Sequence, residues 1–279
     1  LLHKKRLNIK AVLAAPFVNE KAETPRIGML KSYEEILKIF ELMDENPNEK
    51  VFKGSDNYIH SNSGPVESEA ADKLISLAKE QQPEPLYVAC IAAPTNVASA
   101  IMLCPEIRDK IVVVWLGGHE YDWSTAREFN LRQDLAASQL LFDCGVPLIH
   151  IPCRSVAQSL VLTTEQAREN LRGCFPIGEY LYSIFVDYVD WRKDLDVKVI
   201  WDMATIGCLI KPEWVETRIM EAPLLNSDMT WSLKPDRHLH AVATEVLNEH
   251  IFQDFFKRIE IATDKTKAKH IDTETSSVF

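Results

Sequence analysis

The chain has 279 residues, 46% of them hydrophobic and 26% charged, with a net charge of -10. That apolar content supports a sizeable core and excludes global disorder, and α/β domains of similar size are common. The acidic balance, with no basic stripe, argues against binding nucleic acid, which needs clustered Lys and Arg.

Strand and helix signals alternate from the start. Residues 7–14 are a strand candidate, and Ser32 with Glu35 forms a capping box ahead of a helix reaching about Met43. Val51 and Phe52 make a short strand, and residues 67–79 carry helical apolar spacing at Ala71, Leu74, Ile75 and Ala78. Residues 85–105 form a 21-residue stretch without a charge, which raises a membrane span. Pro94-Thr95-Asn96 breaks it in the middle. A buried strand at 86–91, a turn and a short helix at 96–103 explain it better, and no membrane partner is expected. Residues 111–116 are the next strand. Asp134 caps a helix that Gly145 stops, and residues 148–151 are strand again.

Thr163 and Gln166 box a further helix, residues 177–191 form another, and a helical segment follows Asp202. Residues 218–225, 229–233 and 239–246 read as extended, and Asn248 opens a last helix to about Arg258. Residues 263–279 are polar, lack periodicity and are expected to be a disordered tail. The alternation predicts an α/β fold: an open, mostly parallel, Rossmann-like sheet with helices on both faces, in one domain over 1–262. Leu1-Leu2-His3 reads as the last turn of a helix, so a first strand and helix are expected ahead of it. The six cysteines show no C-x-x-C pair, as befits reduced core thiols in a cytoplasmic protein.

The most informative stretch is residues 115–134, WLGGHEYDWSTAREFNLRQD. A β-branched run ends there at Gly117-Gly118, the only adjacent pair among nine glycines. Glu128-Phe129-Asn130 follows after a loop, and Asp134 then opens an apolar helix. An acid, an amide and a second acid thus lie beyond the carboxyl end of a buried strand, where open α/β sheets bind ligands. In an extended loop the side chains of Glu128 and Asn130 would point the same way; in isolation such a pair is ordinarily just solvated. Asp202 closes the apolar run 199–201, and by itself reads as a helix N-cap. The turn Ile91-Ala92-Ala93-Pro94-Thr95-Asn96 and Asn19, which also reads as a plain turn residue, complete the set.

The order Gly-Gly, loop, Glu-Phe-Asn, then Asp and a small-residue helix resembles the inosine-uridine preferring nucleoside hydrolase family. Its members hydrolyse the N-glycosidic bond of ribonucleosides to ribose and free base. The resemblance runs to about Arg258 and is strongest over 91–148 and 199–212. It implies a cytoplasmic, Ca²⁺-dependent homodimer or homotetramer acting on a small-molecule ribonucleoside. It also implies that Glu128 and Asn130 bond the ribose hydroxyls, and that Asp202, ahead of Ile210-Lys211-Pro212, ligates the metal and touches the ribose. The Ile91 carbonyl would face the same metal, and Asn19 would line the pocket. Oxygen donors throughout suit Ca²⁺.

The chain departs from the family in two places. The family's aspartate cluster, D-x-D-x-x-x-D-D or a variant, supplies most calcium ligands and the general base. It is absent from these residues and expected in the segment ahead of Leu1, so the base is unassigned. Many members also carry His directly before the metal-binding Asp, where this chain has Trp201. An indole stacks on a nucleobase but donates a proton poorly. His238 and His240 are then the candidates for protonating the leaving base, against the plainer reading of satisfied surface or core histidines. The rival from another class is a non-catalytic nucleoside- or sugar-binding protein on the same scaffold.

Overall fold

In the computed structural model residues 1–4, 6–59, 64–80, 84–193 and 195–276 are described, 265–276 as backbone alone. Strand β1 (Val12–Leu13) is shorter than the expected span because its parallel partner β2 (Val51–Phe52) offers only two residues to pair with. Between them, helix α1 (Pro25–Leu42) starts a full two turns before the Ser32–Glu35 box. Thr24 caps it through Ile27 N and Pro25 sits in the first turn, where its missing N–H costs nothing. Ser32 instead lies inside the helix and donates to the Ala15 carbonyl.

The middle of the chain follows its sequence signals closely. Helix α2 (Glu69–Lys79) is capped by Ser68, and strand β3 (Leu86–Cys90) leads into helix α3 (Thr95–Leu103). Strand β4 (Ile111–Leu116) is followed by the short helix α4 (Phe129–Gln133) and by α5 (Leu135–Asp143), which Asp134 caps through Ala137 N. Strand β5 (Leu148–Ile151) comes next, then β6 (Val161–Thr163) and α6 (Thr164–Leu171), whose Thr163–Gln166 capping box is formed. Helix α7 (Ile177–Arg192), β7 (Val197–Val199) and α8 (Met203–Ile210) complete this half.

The expected extended segments are β8 (Val215–Glu221), β9 (Leu224–Leu225), β10 (Trp231–Ser232) and β11 (Leu239–Val246). The last helix, α9 (Asn248–Ser276), runs past its expected end near Arg258 and into the polar segment expected as a tail. Periodicity marks where a helix packs, whereas neither Gly nor Pro occurs after Asn248 to end one. Residues 277–279 of that expected tail lie outside the described residues.

A five-stranded sheet, in the order β3-β4-β5-β11-β8, carries the fold, parallel throughout except for the β11–β8 edge. β4 explains the two layers of helix around it. Its alternating side chains go to opposite faces: Val114 and Leu116 enter a core with α6, α7, α8 and α9, while Val113 and Trp115 enter another with α2, α3 and α5. A strand buried on both sides reads as a continuous apolar run, which is what residues 111–116 are. Among the described residues no helix is long and apolar enough to cross a membrane.

The β1–β2 pair is tied to the main sheet through α3. Asn96 is buried; its Nδ2 donates to the Ala14 carbonyl at 2.8 Å and its Oδ1 accepts Ser55 N and Oγ at 2.8 and 3.0 Å. Gly54 permits the approach, since a Cβ there would lie 1.8 Å from the Ala14 oxygen. Asn96→Ala is therefore expected to orphan buried groups on both short strands and to lower stability by about 2–3 kcal/mol. Chemical denaturation monitored by circular dichroism measures this; a change below about 0.5 kcal/mol would show that Asn96 does not tie the pair down.

Candidate active site

The site grows from one peptide unit at the carboxyl end of β4. Gly118 has φ +69, a conformation that favours glycine, and a Cβ on Gly117 would lie 2.4 Å from the Trp115 ring. The Gly118 N–H donates to Glu128 Oε2 at 3.0 Å, and the same oxygen accepts Asn130 N at 2.9 Å and Leu131 N at 3.2 Å. Glu128 is thus the N-cap of α4, with Asn130 inside the helix, which corrects the expected extended loop. Asn130 is buried, and its Nδ2 donates to the Leu116 carbonyl at 2.9 Å. All three backbone bonds fall on Glu128 Oε2. The Cys153 thiol also hydrogen-bonds this carboxylate.

Cys153 lies just past β5, its N–H bonded to the Gly118 carbonyl at 3.0 Å. Burial raises its thiol pKa strongly, and the Glu128, Asp202 and Glu120 carboxylates around it add to that. Two acids from the loop after β4 and one from the segment after β7 therefore converge on a thiol just past β5. Asp202 makes no capping bond to α8, so the plain N-cap reading fails. Its side chain is reachable by solvent yet crowded by protein, as in a recess. Burial, with Glu128 beside it, pushes its pKa up to about 6, while Lys198 pulls the other way. Burial likewise raises Glu128, against the opposing pull of its backbone donors.

The remaining expected residues divide. Ile91 directly follows β3, is 43% exposed, and puts its carbonyl at the same end of the sheet as Gly117. Asn19 closes its own turn, pairing with Ala22 and accepting Lys21 N at 2.8 Å. Lys198, whose charge acts on Asp202, has its pKa lowered chiefly by burial and further by the charge of Lys21 in that turn. Gln133 also pins the preceding Val18 to α4 by paired bonds of 3.0 Å. Trp201 is half-buried against the core that holds Leu116, so part of the ring is already used in packing.

The two histidines do not join the acids. His238 lies beside Arg237 and Asp143 at the far end of α5, with its pKa lowered chiefly by burial. His240 is 4% exposed and packs among Tyr121, Phe142 and their neighbours; burial lowers its pKa to about 4. A ring that stays neutral and sealed is a poor proton donor to a ligand in the recess. Among the described interactions neither histidine meets Asp202 or Glu128 directly.

This geometry can be set beside known proteins. The model of the inosine-uridine preferring nucleoside hydrolase family matches residues 17–272. The chain belongs to that family. It is 27% identical over 245 residues to the pyrimidine-specific ribonucleoside hydrolase RihA of Citrobacter koseri, covering 77% of this chain and 78% of that protein. With the RihA of Klebsiella pneumoniae it shares 29% over 155 residues, 53% of this chain and about half (50%) of that protein's length. Its fold matches the purine-preferring ribonucleoside hydrolase from Gardnerella vaginalis with a TM-score of 0.64 at 21% identity, over 84% of this chain and 87% of the other. As a member of the family it is an N-ribosyl hydrolase, converting ribonucleosides to ribose and free base.

Nucleoside hydrolases are metal-dependent, and the donors on this chain fit a cation only in part. Carboxylate and carbonyl oxygen suit a hard ion, and Asp202 carries a crowded charge beside a second carboxylate. Their number falls short. Among the described residues no group of three or more His, Cys, Asp or Glu could hold a metal, whereas Ca²⁺ takes six to eight oxygens.

The sequence reading missed Cys153, Glu120, Tyr121 and His150. A signal existed for one of them, since His150 is a polar residue inside the buried apolar strand β5.

The geometry of Glu128 changes what its removal should do. A purely ligand-facing acid would leave the fold intact on truncation, but here three backbone N–H groups depend on it. Glu128→Ala is expected to lower unfolding free energy by about 2–4 kcal/mol. A thermal or denaturant melt indistinguishable from the parent protein would show that the clamp is not made.

Proposed function

We propose that Glu128 and Asn130 hold the ribose of a ribonucleoside in the recess, with Asp202 facing the same sugar, and that this grip drives cleavage of the N-glycosidic bond. The observation that carries the reading is the division of labour on Glu128. One oxygen takes all three backbone donors, so the carboxylate is fixed beside Asp202 with its other oxygen outside that clamp. A carboxylate so fixed can accept a sugar hydroxyl without reorganising, which counts when charge develops in the transition state. C–N cleavage builds positive charge on the ribose ring. The negative charge of Glu128 and Asp202 favours that state over the neutral substrate. Asn130 contributes through its amide oxygen, while one of its N–H groups holds the Leu116 carbonyl.

The metal in this reading is Ca²⁺, with Asp202 and the Ile91 carbonyl as the donors from this chain. When bound it would anchor ribose hydroxyls and acidify a water. Asn19 would close the rim, and the exposed part of Trp201 would meet the base. The proposal extends to a cytoplasmic homodimer or homotetramer of one α/β domain, with neither nucleic acid nor membrane as partner. Family membership supports the assembly, and the unpaired cysteines support the reducing compartment.

Hydrolysis of inosine, uridine and p-nitrophenyl riboside with calcium tests the activity. Glu128→Gln, which keeps the shape but removes the charge, is expected to lower kcat/KM roughly ten- to hundredfold. Unchanged turnover would remove Glu128 from the site, and nucleoside binding without turnover by the parent protein would favour a binder.

The ligand count makes a separate prediction. Titration calorimetry of residues 1–279 with calcium chloride should give a dissociation constant at or above about 1 mM, the weak end for protein calcium sites. Micromolar binding would show that these residues already hold a complete site.

A further inference from the structure

Behind the Gly117–Gly118 peptide lies a run of polar side chains that the proposed reaction does not use. His150, fully buried in β5, has Nε2 2.6 Å from the Gly117 carbonyl and Nδ1 2.8 Å from the Tyr121 hydroxyl. The same hydroxyl lies 2.7 Å from His240 Nε2 on the adjacent strand β11. His240 Nδ1 is buried with no hydrogen-bond partner among the described residues.

These contacts fix the direction of every bond. A carbonyl oxygen only accepts, so the proton on His150 is on Nε2. A neutral ring then has a bare Nδ1, which accepts from the Tyr121 O–H. With its proton committed, the Tyr121 oxygen accepts from His240 Nε2–H. His240 Nδ1 is left bare, in keeping with its lack of a partner. Both rings are held neutral by burial, His150 with its pKa near 3 and His240 near 4. The last link is covalent geometry: the Gly117 C=O and the Gly118 N–H belong to one peptide plane. A donor on that carbonyl polarises the peptide and strengthens the bond that the N–H makes to Glu128 Oε2.

We propose that His240, Tyr121 and His150 form a one-way hydrogen-bond relay that positions the Glu128 carboxylate through the Gly117–Gly118 peptide. The functional part of this proposal rests on the reading that Glu128 grips substrate. The three side chains are positioning residues: none reaches the recess, and their output is the angle and strength of the Gly118 bond. An apolar trio would fill the same aromatic cluster of Phe142, Trp231 and Trp115 without desolvating three polar groups. The relay also accounts for a histidine in the middle of an otherwise apolar strand.

Tyr121→Phe cuts the relay with one atom lost and the aromatic packing kept. Long-range ¹⁵N–¹H correlation on histidine-labelled protein should show His150 protonated at Nε2 and bare at Nδ1. In Tyr121→Phe the Gly118 amide proton should move upfield as its bond to Glu128 weakens, and kcat/KM on inosine should fall roughly tenfold. His240→Leu should act similarly, and His240→Gln, whose amide can still donate to Tyr121, should recover most of the loss. A proton on His150 Nδ1, or an unmoved Gly118 amide in Tyr121→Phe, overturns the relay. Unchanged kcat/KM in Tyr121→Phe, alongside a damaged Glu128→Gln, overturns its positioning role. If the spectra behave as stated but Glu128→Gln also turns over normally, the substrate role of Glu128 fails while the relay stands.

Discussion

The peptide between Gly117 and Gly118 is the fixed point around which the recess is organised. Its N–H is bonded to the Glu128 carboxylate and its C=O to the His150 ring, so side chains from β5 and the cap of α4 hold opposite edges of one rigid plane. The neighbouring groups are committed as well, Gly117 N to Ile151 and the Gly118 carbonyl to Cys153. A strand end is ordinarily where backbone groups are released to water. Here each is taken, and the chain leaves through a left-handed turn at Gly118. Any side chain at either glycine would strain the turn or collide with Trp115.

Charge is the second organising constraint. Glu120, Glu128 and Asp202 surround the Cys153 thiol, and Lys198 offsets only part of their repulsion. Three acids drawn together under partial burial destabilise the empty protein and favour whatever brings positive charge. That preference matches both a hard cation and an oxocarbenium-like ribose, so in the proposed reading the same carboxylates serve binding and transition-state stabilisation. The cost is tolerable because Glu128 spreads its charge over three N–H donors.

The interaction network also separates two kinds of histidine. His238, beside Arg237 and Asp143, is tied to the end of α5, whereas His240 is sealed into an aromatic layer with Tyr121, His150 and Trp231. Proton transfer to a leaving base needs a group that reaches the ligand, and neither ring meets the acids directly. In the sequence the two stand only one residue apart, and nothing in their neighbours distinguishes a surface ring from a relay member.

What the sequence by itself determined was local. The apolar run of β4, the Asp134 cap, the Thr163–Gln166 box and the Gly-Gly strand end all form where their residues predict, because each depends on contacts within a few positions. The motif of Gly-Gly, Glu-Phe-Asn and Asp was enough to point to the family for the same reason. Tertiary structure decided the rest. Ser32 lost its capping role because Pro25 and Thr24 offered an earlier start and Ala15 a bond from across the fold. Glu128 became a clamp as well as a cap because the Gly118 N–H reached it from ten residues away. His150, Tyr121 and His240 meet only once three separate segments are packed side by side. Hydrogen bonds between residues so distant in the chain leave no periodicity to read, since their geometry exists only after the sheet has brought the strands together.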